Sequence, residues 1–365
     1  MTRIADVIKI METWAPLAYQ ESYDNAGLLV GDAADAVKGI LISLDTTEEV
    51  IDEAIAKGCN LVIAHHPIIF KGLKKINRTN YIGRTIVKAI QNNIAIYATH
   101  TNLDNVHNGV NFHIASRLGL QNIQILSPKK QTLQKLVVFV PVEDTKVLLD
   151  ALSSAGAGII GNYSGCSFRV TGTGSFTPNE IANPYIGQAN QPEEVTENRI
   201  EVMFPTHLVG KVLAAMRQAH PYEEIAYYVT NLENENQEVG SGAIGTLAEP
   251  VTETAFLHFL KAKMQTGCIR YTALRDKPIQ KVAVCGGAGI FLLNDALRAG
   301  ADIFITSDVK YHEFFDADKR IVLADIGHYE SEVFTKDLIF AHLSKKISNI
   351  AVNLSETTTN PVFYL

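Results

Sequence analysis

Cysteine is scarce and scattered in this chain. The four thiols, Cys59, Cys166, Cys268 and Cys285, include no C-x-x-C pair, and both disulfide scaffolds and thiolate zinc knuckles need denser spacing. Four reduced, mostly buried thiols in a cytosolic chain are therefore expected. Long apolar runs are also missing. None reaches the ~20 residues that span a bilayer, and the charge-free stretch at 151–168 is rich in Gly, Ser and Asn and reads as a loop plus a strand. The first nine residues lack the apolar core of a signal peptide, so a soluble, cytoplasmic protein without membrane contact is expected. Nor is there a surplus of cations: 32 Lys and Arg against 39 Asp and Glu leave a formal charge of −7. That denies the chain the net basic field of a dedicated nucleic-acid binder and speaks against a duplex as partner.

What is present is the apolar content of a packed globule, 47% hydrophobic and 19% charged residues over 365 positions. A single core stops growing beyond roughly 250 residues, so two domains are expected. The first third alternates strands (39–44, 61–64, 94–98) with helices (46–57, 81–92, 108–118). In the first helix Val50, Ile51, Ala54 and Ile55 fall at helical spacing, with Thr46 as N-cap and Gly58 as the stop. The last third resumes the pattern with strands at 281–285, 302–306 and 321–324, a glycine turn at 286–289, and helices at 290–298 and 329–345. This grammar predicts a largely parallel sheet with functional groups at the carboxyl ends of its strands. Between the two, strand 135–140, helix 145–153, strands 167–173 and 199–204, helix 207–219 and strand 224–231 follow a ferredoxin-like β-α-β-β-α-β order. The turn-rich stretch 177–197 breaks its middle, and 126–134 and 233–242 flank it as linkers. The expected architecture is a discontinuous α/β domain, 1–127 plus 246–365, with an inserted ferredoxin-like α+β domain at 128–245.

Three strand ends deliver polar residues that do not belong in a core. They are His65-His66-Pro67 after 61–64, His100 to Asp104 after 94–98, and His328 to Glu332 after 321–324. Helical periodicity puts His328 and Glu332 on one face. Imidazoles and carboxylates are the N/O donors of borderline divalent ions, and open positions on such ions activate water. If one parallel sheet carries all three segments, they share an edge. His65, His66, Asp104, His328 and Glu332 exceed what one tetrahedral zinc needs, whereas two ions sharing a carboxylate would use them all, with Glu332 as the natural bridge. The absence of Cys near the site argues for an open, water-bearing centre. N/O ligation suits zinc, iron and manganese alike.

Further residues carry two readings each. Lys71, Lys74, Lys75 and Arg78 form either a solvated loop or, with Lys310, a phosphate clamp beside the metals. His312 is a general acid/base, a partner that orients a ligand, or a structural histidine. His100 either takes part in proton transfer or orients Asp104. The Gly286-Gly287-Ala288-Gly289 turn lacks full G-x-G-x-x-G spacing and reads as a tight strand–helix turn rather than a nucleotide cradle.

In order and together, several stretches resemble the Nif-three-like family, the GTP cyclohydrolase I type 2 homologues. They are ESYDNAGL at 21–28, SLDTTEEV at 43–50, AHHP at 64–67, THTNLD at 99–104, SDVKYH at 307–312 and GHYESE at 327–332. NYSGCSF at 162–168 and HPYEE at 220–224 match the longer bacterial members. Tyr23 stands where many members carry Trp, a conservative aromatic exchange. The resemblance implies a two-part α/β domain with a dinuclear centre on His65, His66, Asp104, His328 and Glu332, two divalent ions per chain, and an insert similar to the PII/CutA-like fold. It also implies a toroidal homohexamer whose metal sites face an internal cavity. The expected function is a metal-dependent hydrolase on a small phosphorylated or nucleotide substrate, attacking C8 of the guanine of GTP or acting as a phosphoesterase. The alternative is a non-catalytic metal-binding regulator or scaffold.

Overall fold

The structure is a computed structural model describing residues 1–365. It is a mixed α/β protein that divides into two compact units, Met1–Pro128 with Gln237–Leu365, and Lys129–Asn236. No helix is long and apolar enough to cross a membrane.

The larger unit holds two sheets rather than the single one expected. Across the first run Gly27–Val30, Ala95–Ala98, Leu61–Ala64, Gly39–Ser43 and Ala351–Leu354. The last four strands are mutually parallel and Gly27–Val30 is antiparallel. Across the second run Arg270–Tyr271, Val322–Asp325, Ile303–Thr306, Ile279–Val284, Asn236–Val251 and Gln121–Lys129, with the 279–284, 303–306 and 322–325 strands parallel. The inner parallel strands Gly39–Ser43, Leu61–Ala64 and Ala95–Ala98 are buried along their whole length, which is why Leu61-Val62-Ile63-Ala64 reads as an uninterrupted apolar run. One hydrophobic cluster joins the sheets, since Ile40, Ile42, Leu61 and Ile63 share it with Val282, Ile303 and Val322. The polar motifs thus leave the carboxyl ends of two sheets packed on a common core.

Several local expectations are corrected. Helix Glu48–Ala56 is capped by Thr47, whose Oγ1 accepts the Val50 amide, and not by Thr46. The helix expected over 329–345 is broken into His328–Glu332 and Thr335–Lys346. At the break Ser331 Oγ donates to the His328 carbonyl at 2.7 Å, competing with the helical ladder. The supposed linker at 233–242 lies largely within the strand Asn236–Val251, so 237–245 belongs to the larger unit. Its glycines serve close packing instead of flexibility: a Cβ on Gly240 would fall 2.3 Å from the Ser127 carbonyl oxygen. Of the cysteines, Cys59 and Cys285 are buried while Cys268 is exposed.

In the smaller unit Phe168–Phe176, Glu193–Pro205, Leu133–Pro141 and Tyr227–Leu232 lie side by side in that order, all antiparallel. In chain order this is strand sequence 2-3-1-4, the ferredoxin-like arrangement. Helices Thr145–Ser154 and Val209–Ala219 close one face through Leu148, Leu152, Val212 and Met216, which meet Leu136, Val138, Ile200 and Val202.

Beyond Leu354 the C-terminal residues are held by Glu53. Its carboxylate accepts from Ser355 Oγ (2.6 Å), the Glu356 amide (2.9 Å) and Thr357 Oγ1 (2.7 Å), and Lys57 Nζ adds a fourth bond at 2.8 Å. Burial raises the Glu53 carboxyl, but these donors outweigh it and bring it down to about 2.

This packing has two measurable consequences. Gly240 and Pro128 are close neighbours, so the chain leaves and re-enters the larger unit at one place. Replacing 129–236 by a short linker should leave a folded α/β unit that still binds metal, measured by circular dichroism and metal content; a folded product without metal would mean the insert completes the site. The depressed Glu53 carboxyl contributes stability in full above about 4.5 and loses it as pH falls towards about 2. Glu53→Gln should therefore lower Tm near neutrality, with the gap to wild type closing across that acid range. A gap independent of pH would remove the carboxylate charge from the attachment.

Candidate metal centre

His65 and His66 leave the fully buried Leu61–Ala64 strand, His100 leaves Ala95–Ala98, and Asp104 ends the one-turn helix Thr101–Asp104. From the second sheet, Val322–Asp325 leads through Gly327 (φ 90°) into His328–Glu332. These side chains meet. Glu332, 3% exposed, lies at the middle and presents one oxygen to each side. Its Oε2 is 2.9 Å from His66 Nε2 and 3.1 Å from His328 Nε2, and those two nitrogens are 3.4 Å apart. Its Oε1 is 3.8 Å from His65 Nε2, which is 3.6 Å from Asp104 Oδ1. Two triads result, His66–His328–Glu332 and His65–Asp104–Glu332, and a third group brings His100 to His65 and His66.

Each imidazole is held by its other nitrogen. His65 Nδ1 bonds the Thr99 carbonyl (2.8 Å), His66 Nδ1 bonds Asp45 (2.7 Å), His328 Nδ1 bonds Asp308 (2.6 Å) and His100 Nδ1 bonds Asp24 (2.7 Å). This is how proteins orient imidazoles toward an ion. Asp24, Asp45 and Asp308 escaped the sequence reading although all three lie inside the motif stretches 21–28, 43–50 and 307–312. His100 is tied to Asp24, not set against Asp104 as one expectation had it. Asp45 is itself held by Thr359 Oγ1 at 2.5 Å, so the C-terminal segment reaches the site.

The charges are unbalanced without a cation. Burial raises Glu332, but His328 and His66 at 3.1 and 2.9 Å, with His65 close by, reverse this and hold it well below the carboxylate range. Burial, and after it the Glu332 charge, drive Asp104 well above that range. Burial opposes protonation of His66, yet Asp45 and Glu332 push it up to about 10; burial of fully enclosed His65 takes it down. His65 Nε2 and Asp104 Oδ1 are buried and have no hydrogen-bond partner, a costly state for two polar atoms that a shared ion would relieve. With metal–ligand bonds of about 2.0–2.2 Å, donors on a common tetrahedral ion lie roughly 3.4 Å apart, close to the separations within each triad. The residues fit a divalent metal.

Two clefts open beside the cluster, one of about 610 Å³ past Asp45, Thr46 and Tyr81 and one of about 220 Å³ past Tyr23, Asn111 and Phe291. Phe70, His100 and His328 line both. Lys71, Lys74, Lys75 and Arg78 are exposed on the segment after Phe70 and line neither cleft, and Arg78 bonds Gln91. Exposed Lys310 faces Glu313 (3.7 Å), and His312 packs with Tyr311 and Phe315 outside both clefts. The expectation of no cysteine nearby is corrected: Cys285 lines the smaller cleft. Burial, Asp104 and Glu332 push its thiol up, which keeps it neutral and a poor ligand. In the glycine turn the Gly286, Gly287 and Gly289 amides donate to Asn111, Ser331 and Thr306, so those amides are not free for phosphate. Gly287 has its own necessity, since a Cβ there would lie 2.5 Å from Glu332 Oε1.

Fold and site define a two-sheet α/β protein with a His/carboxylate cluster able to hold metal at the carboxyl edges of both sheets. The chain belongs to the Duf34/NIF3 (NGG1p interacting factor 3) family, whose sequence model matches residues 2–361. It is similar to the GTP cyclohydrolase 1 type 2 homologs of Halalkalibacterium halodurans and Bacillus subtilis, at 41% and 38% identity over 364 residues, covering 98% of each chain. The crystal structure of a Bacillus cereus protein related to NIF3 superposes with a TM-score of 0.88 at 40% identity, covering 100% of this chain and 99% of that one.

Metal content per chain tests the arrangement. His66→Ala should lose one ion, whereas Glu332→Ala should disturb both, because each triad takes one of its oxygens. Gly287→Ala, which replaces no ligand, should reduce metal content by displacing Glu332. Equal losses in His66→Ala and Glu332→Ala would count against a shared carboxylate.

Proposed function

We propose that the chain is a metal-dependent hydrolase holding two divalent ions, on His65, Asp104 and Glu332 and on His66, His328 and Glu332, and acting on a small phosphorylated or nucleotide substrate. The observation that carries this reading is the division of the donors into two triads about the two oxygens of one buried carboxylate. Zinc, iron or manganese bound there would supply Lewis acidity and lower the pKa of a coordinated water. The chain's own residues then have separate tasks. Asp45 and Asp308 hold the two outer imidazoles. His100, with Nδ1 fixed by Asp24, keeps Nε2 free beside both clefts and is suited to carry a proton. Phe70 walls both clefts and limits water. His312, remote from the clefts, receives no role.

The substrate class is suggested in part by the names of the relatives, which make GTP the first compound to test. The clefts admit a nucleotide or another small phosphoester more readily than a duplex. Lys71, Lys74, Lys75 and Arg78 are proposed to meet its phosphates from the segment after Phe70, with Lys310 as a weaker candidate. A homohexamer in the cytoplasm is part of the same proposal, and light scattering that finds a monomer would remove the enclosed cavity.

Metal-reconstituted protein should turn over GTP or a member of a phosphodiester panel, and His65→Ala should abolish it. Elemental analysis of protein purified without added metal names the ion. No metal-dependent turnover of any member would favour the metal-binding scaffold instead. Lys74→Glu with Lys75→Glu should raise KM severalfold while metal content stays unchanged; normal KM would return these lysines to a solvated surface.

A further inference from the structure

The smaller unit contains a cavity of about 610 Å³, within the ~300–1,000 Å³ of small-molecule sites, and formed wholly by its own residues. The helices cover one face of its sheet through Leu136, Val138, Ile200 and Val202. Strand alternation therefore sends Phe139 and Arg199 to the opposite face, where register places Phe139, Arg199 and Val170 in one row and Glu197 beside Gly172 in the next. Residues from 176 to 186 and from 222 to 226 wall this face. The rings of Phe176 and Tyr185 each lie 6.2 Å from Tyr222. Two glycines make the space: a Cβ on Gly172 would meet nothing within 4 Å, and one on Gly174 would lie 2.2 Å from Glu197 Oε2.

The charge lining this cavity is mostly negative. Glu197 is 8% exposed, lines it, and is in no ion pair. Glu223 and Glu224 stand at the wall. The one cation, Arg199, is taken by Glu201 at 2.7 Å, which Lys135 also engages. Burial, and next its proximity to Glu197 as a hydrogen-bond acceptor and charge, push the Tyr222 phenol up, so the hydroxyl stays a neutral donor. A buried carboxylate without a counter-ion is costly, and aromatic rings around it offer their negative faces to a cation.

We propose that the 129–236 unit binds a small organic cation, an ammonium or amidinium head carrying an apolar or aromatic body, with Glu197 meeting the head and Phe139, Phe176, Tyr185 and Tyr222 the body. This site is independent of the metal centre. Calorimetric titration of the full-length protein with benzyltrimethylammonium should give saturable binding of one molecule per chain, at least about tenfold tighter than phenylacetate. Glu197→Gln should weaken the cation by about tenfold or more. Val170→Trp, at an exposed lining position, should block it. Metal content should be unchanged in both variants. No saturable binding of the cation at millimolar concentration, equal binding of phenylacetate, or undiminished affinity in Glu197→Gln would overturn the proposal. Should Glu197→Gln fail to fold, undiminished binding in Val170→Trp decides against it equally.

Discussion

A carboxylate taken out of water must be answered by positive charge or by hydrogen-bond donors, and Glu332 has almost no water around it. Its two oxygens face nitrogens from both sheets, so the packing of the sheets and the composition of the site are one problem. His65 and His66 have to arrive from Leu61–Ala64, His328 from the strand ending at Asp325, and the cluster closes only because the shared core holds those strand ends together. Gly287 belongs to the same constraint, because a side chain at that point would occupy the place of Oε1.

Around this centre the protein is more ordered than ligation alone requires. Three aspartates and one main-chain carbonyl fix the four imidazoles, and each aspartate follows or precedes a strand whose position is set by burial. Asp45 is fixed again by Thr359, a residue of the segment that Glu53 holds in place. The surplus of carboxylates makes the cluster favourable to divalent cations.

The two units solve their chemistry differently. The larger gathers nitrogens and carboxylates at strand ends, where backbone turns can aim them. The smaller leaves one sheet face without helices and lines it with aromatic rings around Glu197, a carboxylate in no ion pair. One arrangement suits an inorganic ion, the other an organic one.

Periodicity and strand-end placement were enough to single out His65, His66, Asp104, His328 and Glu332 as polar groups that could gather, and the fold brings them together. The ferredoxin-like order of the insert was also legible, since its strands and helices alternate with clear turn signals. The rest was decided by contacts distant in sequence. That the parallel strands fall into two sheets depends on which strands pair, and local pattern is silent on pairing. The glycines near 240 look like linker residues until Ser127 is brought against them. Asp24, Asp45 and Asp308 are ordinary acidic residues until folding places each beside an imidazole. His312 and the 71–78 cations, chemically suitable by type, were left outside the clefts. Residue type and spacing determine which groups can serve a metal; only the tertiary fold, through burial and distance, decides which of them meet.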